Sequence, residues 1–171
     1  LTTILPTELI QAGMKQIDKV GWTAFHPFQL ILEYKLIPPL PFSSREDFLQ
    51  QTLTALNAQV VQQSAAFDIS MPLEERLFEV FMIRFEVLEK YKSTLIHIWK
   101  EWRHTPGSLL ACIPEWIESL EQLFIHALAG ENMEAVGIKM KAFIFFYIQA
   151  QQIWFKDESP DLSSTMAALH Q

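Results

Sequence analysis

Residues 36–49 read LIPPLPFSSREDFL, and the two halves of that stretch instruct the backbone in opposite ways. Pro38, Pro39 and Pro41 remove three backbone donors within four positions and push their predecessors toward extended geometry. One proline inside a helix costs about 3 kcal/mol, so no helix is expected between Leu36 and Ser43. Directly afterwards Ser43 and Glu46 have the spacing of a capping box, which predicts a helix from about Ser44 to Ala65. Phe48, Leu49, Leu53, Leu56, Val60 and Val61 recur along it at helical spacing.

Helical signals continue on both sides of this break. Upstream, Leu9, Ile10, Met14, Ile17 and Val20 predict a helix from about Pro6 to Val20 that stops at Gly21. A second is expected from Pro27 to about Leu36, with Phe25 stapling its start. Downstream, a short loop over Phe67–Ser70 leads to a helix from Pro72 to about Lys90. Its stripe of Leu77, Phe78, Phe81, Met82, Phe85 and Leu88 is unusually wide. Further helices are expected over Tyr91–Arg103, over Ser108–Ala129 with Pro114 kinking or splitting it, and over Asn132–Lys156. A last one should be capped by Ser159-Pro160. No strand-type alternation persists, so the expected class is all-α.

Half of the 171 residues are hydrophobic. A helical chain of this length hides that much apolar surface in a core, a subunit interface or a cavity for an apolar ligand. The formal net charge of -7 opposes the phosphate backbone of nucleic acids. The single cysteine, Cys112, excludes an intramolecular disulfide and fits a reducing compartment; within Leu109-Leu110-Ala111-Cys112-Ile113 it reads as a buried, inert thiol. The most apolar run, Ala142–Ile148, falls far short of the roughly 20 residues of a spanning helix. A soluble, cytoplasmic protein is expected, with membrane contact peripheral at most.

Four segments carry a resemblance. Leu9–Trp22 (LIQAGMKQIDKVGW) is similar to the first helix and the glycine-aromatic turn of the TetR family of bacterial regulators, and Phe42–Leu49 (FSSREDFL) to the phenylalanine, cap and acidic helix start that follow that family's recognition helix. Pro72–Leu88 (PLEERLFEVFMIRFEVL) and Phe155–Leu169 (FKDESPDLSSTMAAL) resemble ligand-domain segments of the same family. The latter two also resemble the TetR-like, lipid-binding accessory proteins of coenzyme Q biosynthesis, which keep the fold without binding DNA. The resemblance implies a helix-turn-helix-like unit over residues 1–50 and a ligand-binding and dimerisation domain over 51–171.

A TetR-like reading helix would lie between Leu36 and Ser43, the interval that the prolines occupy, and a recognition helix needs about two turns. Up to Gln62 the cations Lys15, Lys19, Lys35 and Arg45 face the carboxylates Glu8, Asp18, Glu33, Glu46 and Asp47. Four against five leaves no basic surface for phosphate. The N-terminal unit is therefore expected to be degenerate, with DNA binding lost; the alternative is a ligand-responsive TetR-family transcriptional regulator.

Nothing reads as catalysis. The histidines are His26, His97, His104, His126 and His170, none spaced with Cys or carboxylates as a metal ligand set. His97 with Glu101 one turn on reads either as a base with its orienting carboxylate or as a satisfied histidine. Five glycines form no phosphate-cradling loop. Glu74-Glu75 reads as a solvated helix face. No enzyme, metal or cofactor is expected.

Aromatic residues make up 12% of the chain. Phe78, Phe81, Phe85, Trp99, Trp102, Trp116, Phe143 and Tyr147 sit on helices that surround the ligand cavity in the fold the chain resembles. They read as the lining for an apolar small molecule or lipid, isoprenoid- or quinone-related, with plain core packing as the other reading. Arg84, His97 or Tyr147 would be the polar handle. The resemblance also implies a homodimer through the last two helices, with Ile144, Ile148, Gln151, Trp154 and Met166 at the seam.

Overall fold

A computed structural model describes residues 5–38, 40–64, 70–128 and 136–170. Among them the chain forms eight helices and no strand: α1 (Thr7–Val20), α2 (Phe28–Glu33), α3 (Arg45–Gln63), α4 (Leu73–Glu89), α5 (Lys92–His104), α6 (Pro106–Ala127), α7 (Val136–Trp154) and α8 (Ser163–Leu169). None of these helices is long and apolar enough to cross a membrane. Residues 1–56 and 90–116 form one compact unit, and 57–89 with 117–171 a second.

In the first unit, α1 ends as its sequence directs. Gly21 takes a φ of +84°, and its N–H donates to the Ile17 carbonyl at 2.8 Å. That left-handed turn favours glycine. It delivers the Trp22 and Thr23 N–H groups to the Glu101 carboxylate on α5 at 2.7 and 2.8 Å. Trp22 is fully buried, edge-on to Trp102 at 6.0 Å. Phe48 sits between Phe25 and Phe42, with ring centres 5.3 and 5.4 Å apart. The Phe48 ring lies directly against Gly13 of α1, where an added Cβ would come within 2.1 Å of Cζ.

α2 is only six residues long, and Lys35 turns out of it with a φ of +51°. Among the described residues from 36 to 44 there is no helix; Pro39 lies outside them. The expected Ser43–Glu46 box is shifted by one residue. The Ser44 hydroxyl accepts the Asp47 N–H at 3.0 Å, and the Asp47 carboxylate accepts the Ser43 N–H at 2.7 Å. Glu46 instead pairs with Arg45 at 2.9 Å. Arg45 also donates to the Thr23 carbonyl at 2.7 Å and lies over the Trp22 ring. α6 runs unbroken through Pro114, which deletes one backbone bond without splitting the helix.

The second unit is built on α4 and α7. α4 turns Val80, Phe81, Arg84, Phe85, Val87 and Leu88 inward. α7 buries Phe143, Tyr147, Ala150, Gln151 and Trp154, while Ile138, Phe145, Phe146 and Ile153 face out. The expected start of this helix at Asn132 and the end of α3 at Ala65 fall outside the described residues. α8 begins later than Ser159-Pro160 suggested. Leu162 adopts a left-handed φ of +55°, and the Ser163 N–H is capped by the Ser159 hydroxyl at 2.9 Å.

Candidate functional site

The second unit carries an open groove of about 660 Å³ between α4 and α8. Its apolar floor is Met71, Phe78, Met82 and Ile83 from the α4 side and Met166 and Leu169 from α8. The α4 rim carries the carboxylates Glu74, Glu75, Glu79 and Glu86. At one end the His170 imidazole lies on the Phe78 ring, centres 4.3 Å apart.

One carboxylate holds α8 in place. Asp157, 4% exposed, accepts the Thr165 N–H and hydroxyl, each at 2.7 Å, the Ser159 N–H at 3.0 Å and the Ser159 hydroxyl. Burial alone would push its carboxyl up. The hydrogen bonds from Ser159 and Thr165 override that and hold it well below the usual carboxylate range.

Behind the groove, the inner face of α4 closes on a rigid interior. Phe124, Phe143, Phe81, Tyr147, Phe85 and Trp154 form a continuous aromatic column with successive centres 4.7–5.4 Å apart. The Trp154 indole N–H donates to Glu89 at 2.7 Å. Beside this column Arg84, 2% exposed, donates through Nε to the Tyr147 hydroxyl at 2.8 Å, through Nη1 to Asn57 Oδ1 and through Nη2 to Ser119 Oγ at 3.3 Å. Asn57 in turn donates to the Ser119 carbonyl and hydroxyl, both at 2.8 Å. Burial raises the Tyr147 phenol, with Arg84 pulling the other way. The guanidinium, which stays charged in proteins, is thus held by neutral dipoles.

The structure brings together five of the eight aromatics read as ligand lining. Phe78 lines the groove; Phe81, Phe85, Phe143 and Tyr147 pack ring against ring in the column behind it. Trp99, Trp102 and Trp116 belong to the first unit. Trp102 is buried against Trp22, Trp99 lies 6.4 Å from Trp102, and Trp116 borders a crevice with Cys112. Of the residues assigned to a dimer seam, Gln151 and Trp154 are buried within the chain itself. Ile144 and Ile148 are half-buried, and Met166 is exposed at the groove.

The remaining candidates have local roles. His97 Nδ1 lies 3.4 Å from Asp18, and Glu101 is engaged by Trp22 and Thr23 instead. His126 shares a 2.9 Å hydrogen bond with the Ser64 hydroxyl. The Cys112 thiol is pushed up to about 12, mainly by burial, with Glu46 and Glu115 adding to it. Among the described residues no three His, Cys, Asp or Glu side chains are grouped to hold a metal ion.

The sequence reading missed Met71, Met82, Ile83 and Leu169 as groove residues; Glu74 and Glu75, read as a solvated helix face, are exposed and border the groove. The signal was the width of the α4 stripe: a helix apolar over more than half its circumference has more greasy surface than one core contact consumes. No protein-family model, curated protein or solved structure matches the chain.

Proposed function

We propose that this chain is a non-enzymatic, TetR-like binding protein that seats an apolar small molecule or lipid in the α4–α8 groove. The observation that carries the reading is the groove itself. Its volume of about 660 Å³ lies in the range of small-molecule sites, and its floor is aliphatic and aromatic. Three methionines, Met71, Met82 and Met166, give that floor side chains that adapt to a flexible hydrocarbon. The aromatic column and the Arg84–Tyr147–Asn57–Ser119 cluster form the stiff wall on which α4 rests.

Loss of DNA reading belongs to the same proposal. It is supported by the non-helical chain from 36 to 44 among the described residues, and by Arg45, the cation nearest that interval on the α3 side, being committed to Thr23 and Glu46. Two-fold pairing through α7 is part of it too, supported by the outward Ile138, Phe145, Phe146 and Ile153.

Native mass spectrometry of gently purified protein tests the ligand. A mass increment that organic extraction removes, and that added long-chain alcohol restores, is the expected result. A chain that carries no adduct and takes up no alcohol contradicts the reading.

A further inference from the structure

The groove is apolar along its floor and of one charge along its rim. Glu74, Glu75, Glu79 and Glu86 are spread over about 18 Å of α4 at 1.5 Å per residue. Among the described residues none of the four carboxylates takes part in a side-chain hydrogen bond or an ion pair, and no Lys or Arg lines the groove. Glu74 and Glu75 have a local reason to be there, since they occupy the first turn of α4 and complement the helix dipole. Glu79 and Glu86 do not have that reason. They lie beyond that turn, beside Phe78, Met82 and Ile83, at positions where a lysine would serve solubility equally well.

We propose that the ligand of this groove is a cation-bearing amphiphile: a hydrocarbon body lying on Met82, Ile83, Met166 and Leu169, with an ammonium-type head among the α4 carboxylates. The inference rests on the groove being a ligand site and adds the charge of what it takes. An anionic head, whether of a fatty acid or of an acidic phospholipid, would enter a field of four uncompensated carboxylates. A cationic head meets opposite charges at the groove edge. Because the rim is solvated, the preference should fade as salt screens it.

Three twelve-carbon probes separate the charge from the chain: dodecyltrimethylammonium, 1-dodecanol and laurate, each titrated calorimetrically below its aggregation concentration. The expected order of affinity is cation, alcohol, carboxylate. The cation should exceed the carboxylate by at least about tenfold at low ionic strength and by much less in high salt. Glu75→Gln/Glu79→Gln/Glu86→Gln should flatten the order, with the cation losing affinity and the carboxylate gaining it. Glu8→Gln/Glu33→Gln/Glu118→Gln, which removes as many charges from exposed positions elsewhere, should leave the order intact. Equal binding of all three probes, or loss of the preference in the second variant, overturns the inference and leaves the ligand site standing. Failure of all three probes removes the site as well. Binding of a helical Leu/Lys peptide, with no binding of the probes, would make the groove a protein-docking face and also overturn the proposal.

Discussion

At Asp157 a single side chain decides whether the groove has a second wall. Its carboxylate gathers donors from Ser159 and Thr165 across the turn that starts α8, and α8 brings Met166, Leu169 and His170 over α4. Asp157→Ala should therefore cost about 1–3 kcal/mol, the cost of stranding buried donors. It should also weaken ligand uptake more than its stability cost alone would. The folded pKa is depressed, so the stabilisation is fully present above the unfolded value of about 3.9 and is lost as pH falls through the acid range below it. Denaturant midpoints of wild type and Asp157→Ala should differ at neutral pH and draw together as pH falls below the usual carboxylate range. Gly13 supports a second residue-level prediction. An added methyl would collide with the fully buried Phe48 ring, so Gly13→Ala should destabilise by about 1–3 kcal/mol despite the higher helix propensity of alanine. A thermal melt no lower than wild type would contradict it.

Among the elements, those with one apolar face were legible in the sequence. α1 and α5 show clean helical spacing, and α1, α4 and α5 begin and end within a residue or so of the punctuation that Pro6, Gly21, Pro72, Tyr91 and Pro106 provide. The break before α3 was legible for the same reason, since three prolines act locally. α7 was not. Between Ala142 and Phe155 it is apolar nearly all round, so periodicity could not say that Phe143, Tyr147 and Trp154 turn inward and Phe145 and Phe146 outward. The groove was illegible because its second wall depends on where α8 docks, and that is set by Asp157 rather than by the pattern of α8. The outward face of α7 carries its own prediction. Phe145 and Phe146 are 58% and 60% exposed, beside Ile138 at 83%. Phe145→Glu/Phe146→Glu should convert a dimer to a monomer in sedimentation velocity without changing helix content. An unchanged sedimentation coefficient would contradict pairing through α7.

Taken as a whole, the chain divides its apolar residues among three uses. The cores of the two units take the largest share: Trp22, Phe25 and Phe48 in one, the column from Phe124 to Trp154 in the other. The α7 stripe takes the second. The floor between α4 and α8 takes the third, and it is bordered by a row of carboxylates. Four of the chain's 20 carboxylates thus border this one groove. Methyl-labelled methionine reports on that floor directly, because Met71, Met82 and Met166 line it while Met14 is buried in the other unit. On titration with 1-dodecanol the account predicts saturable shifts of the three groove methyl resonances, with Met14 unmoved. Shifts at Met14 alone, or no shift at any methionine while the alcohol binds, would contradict it.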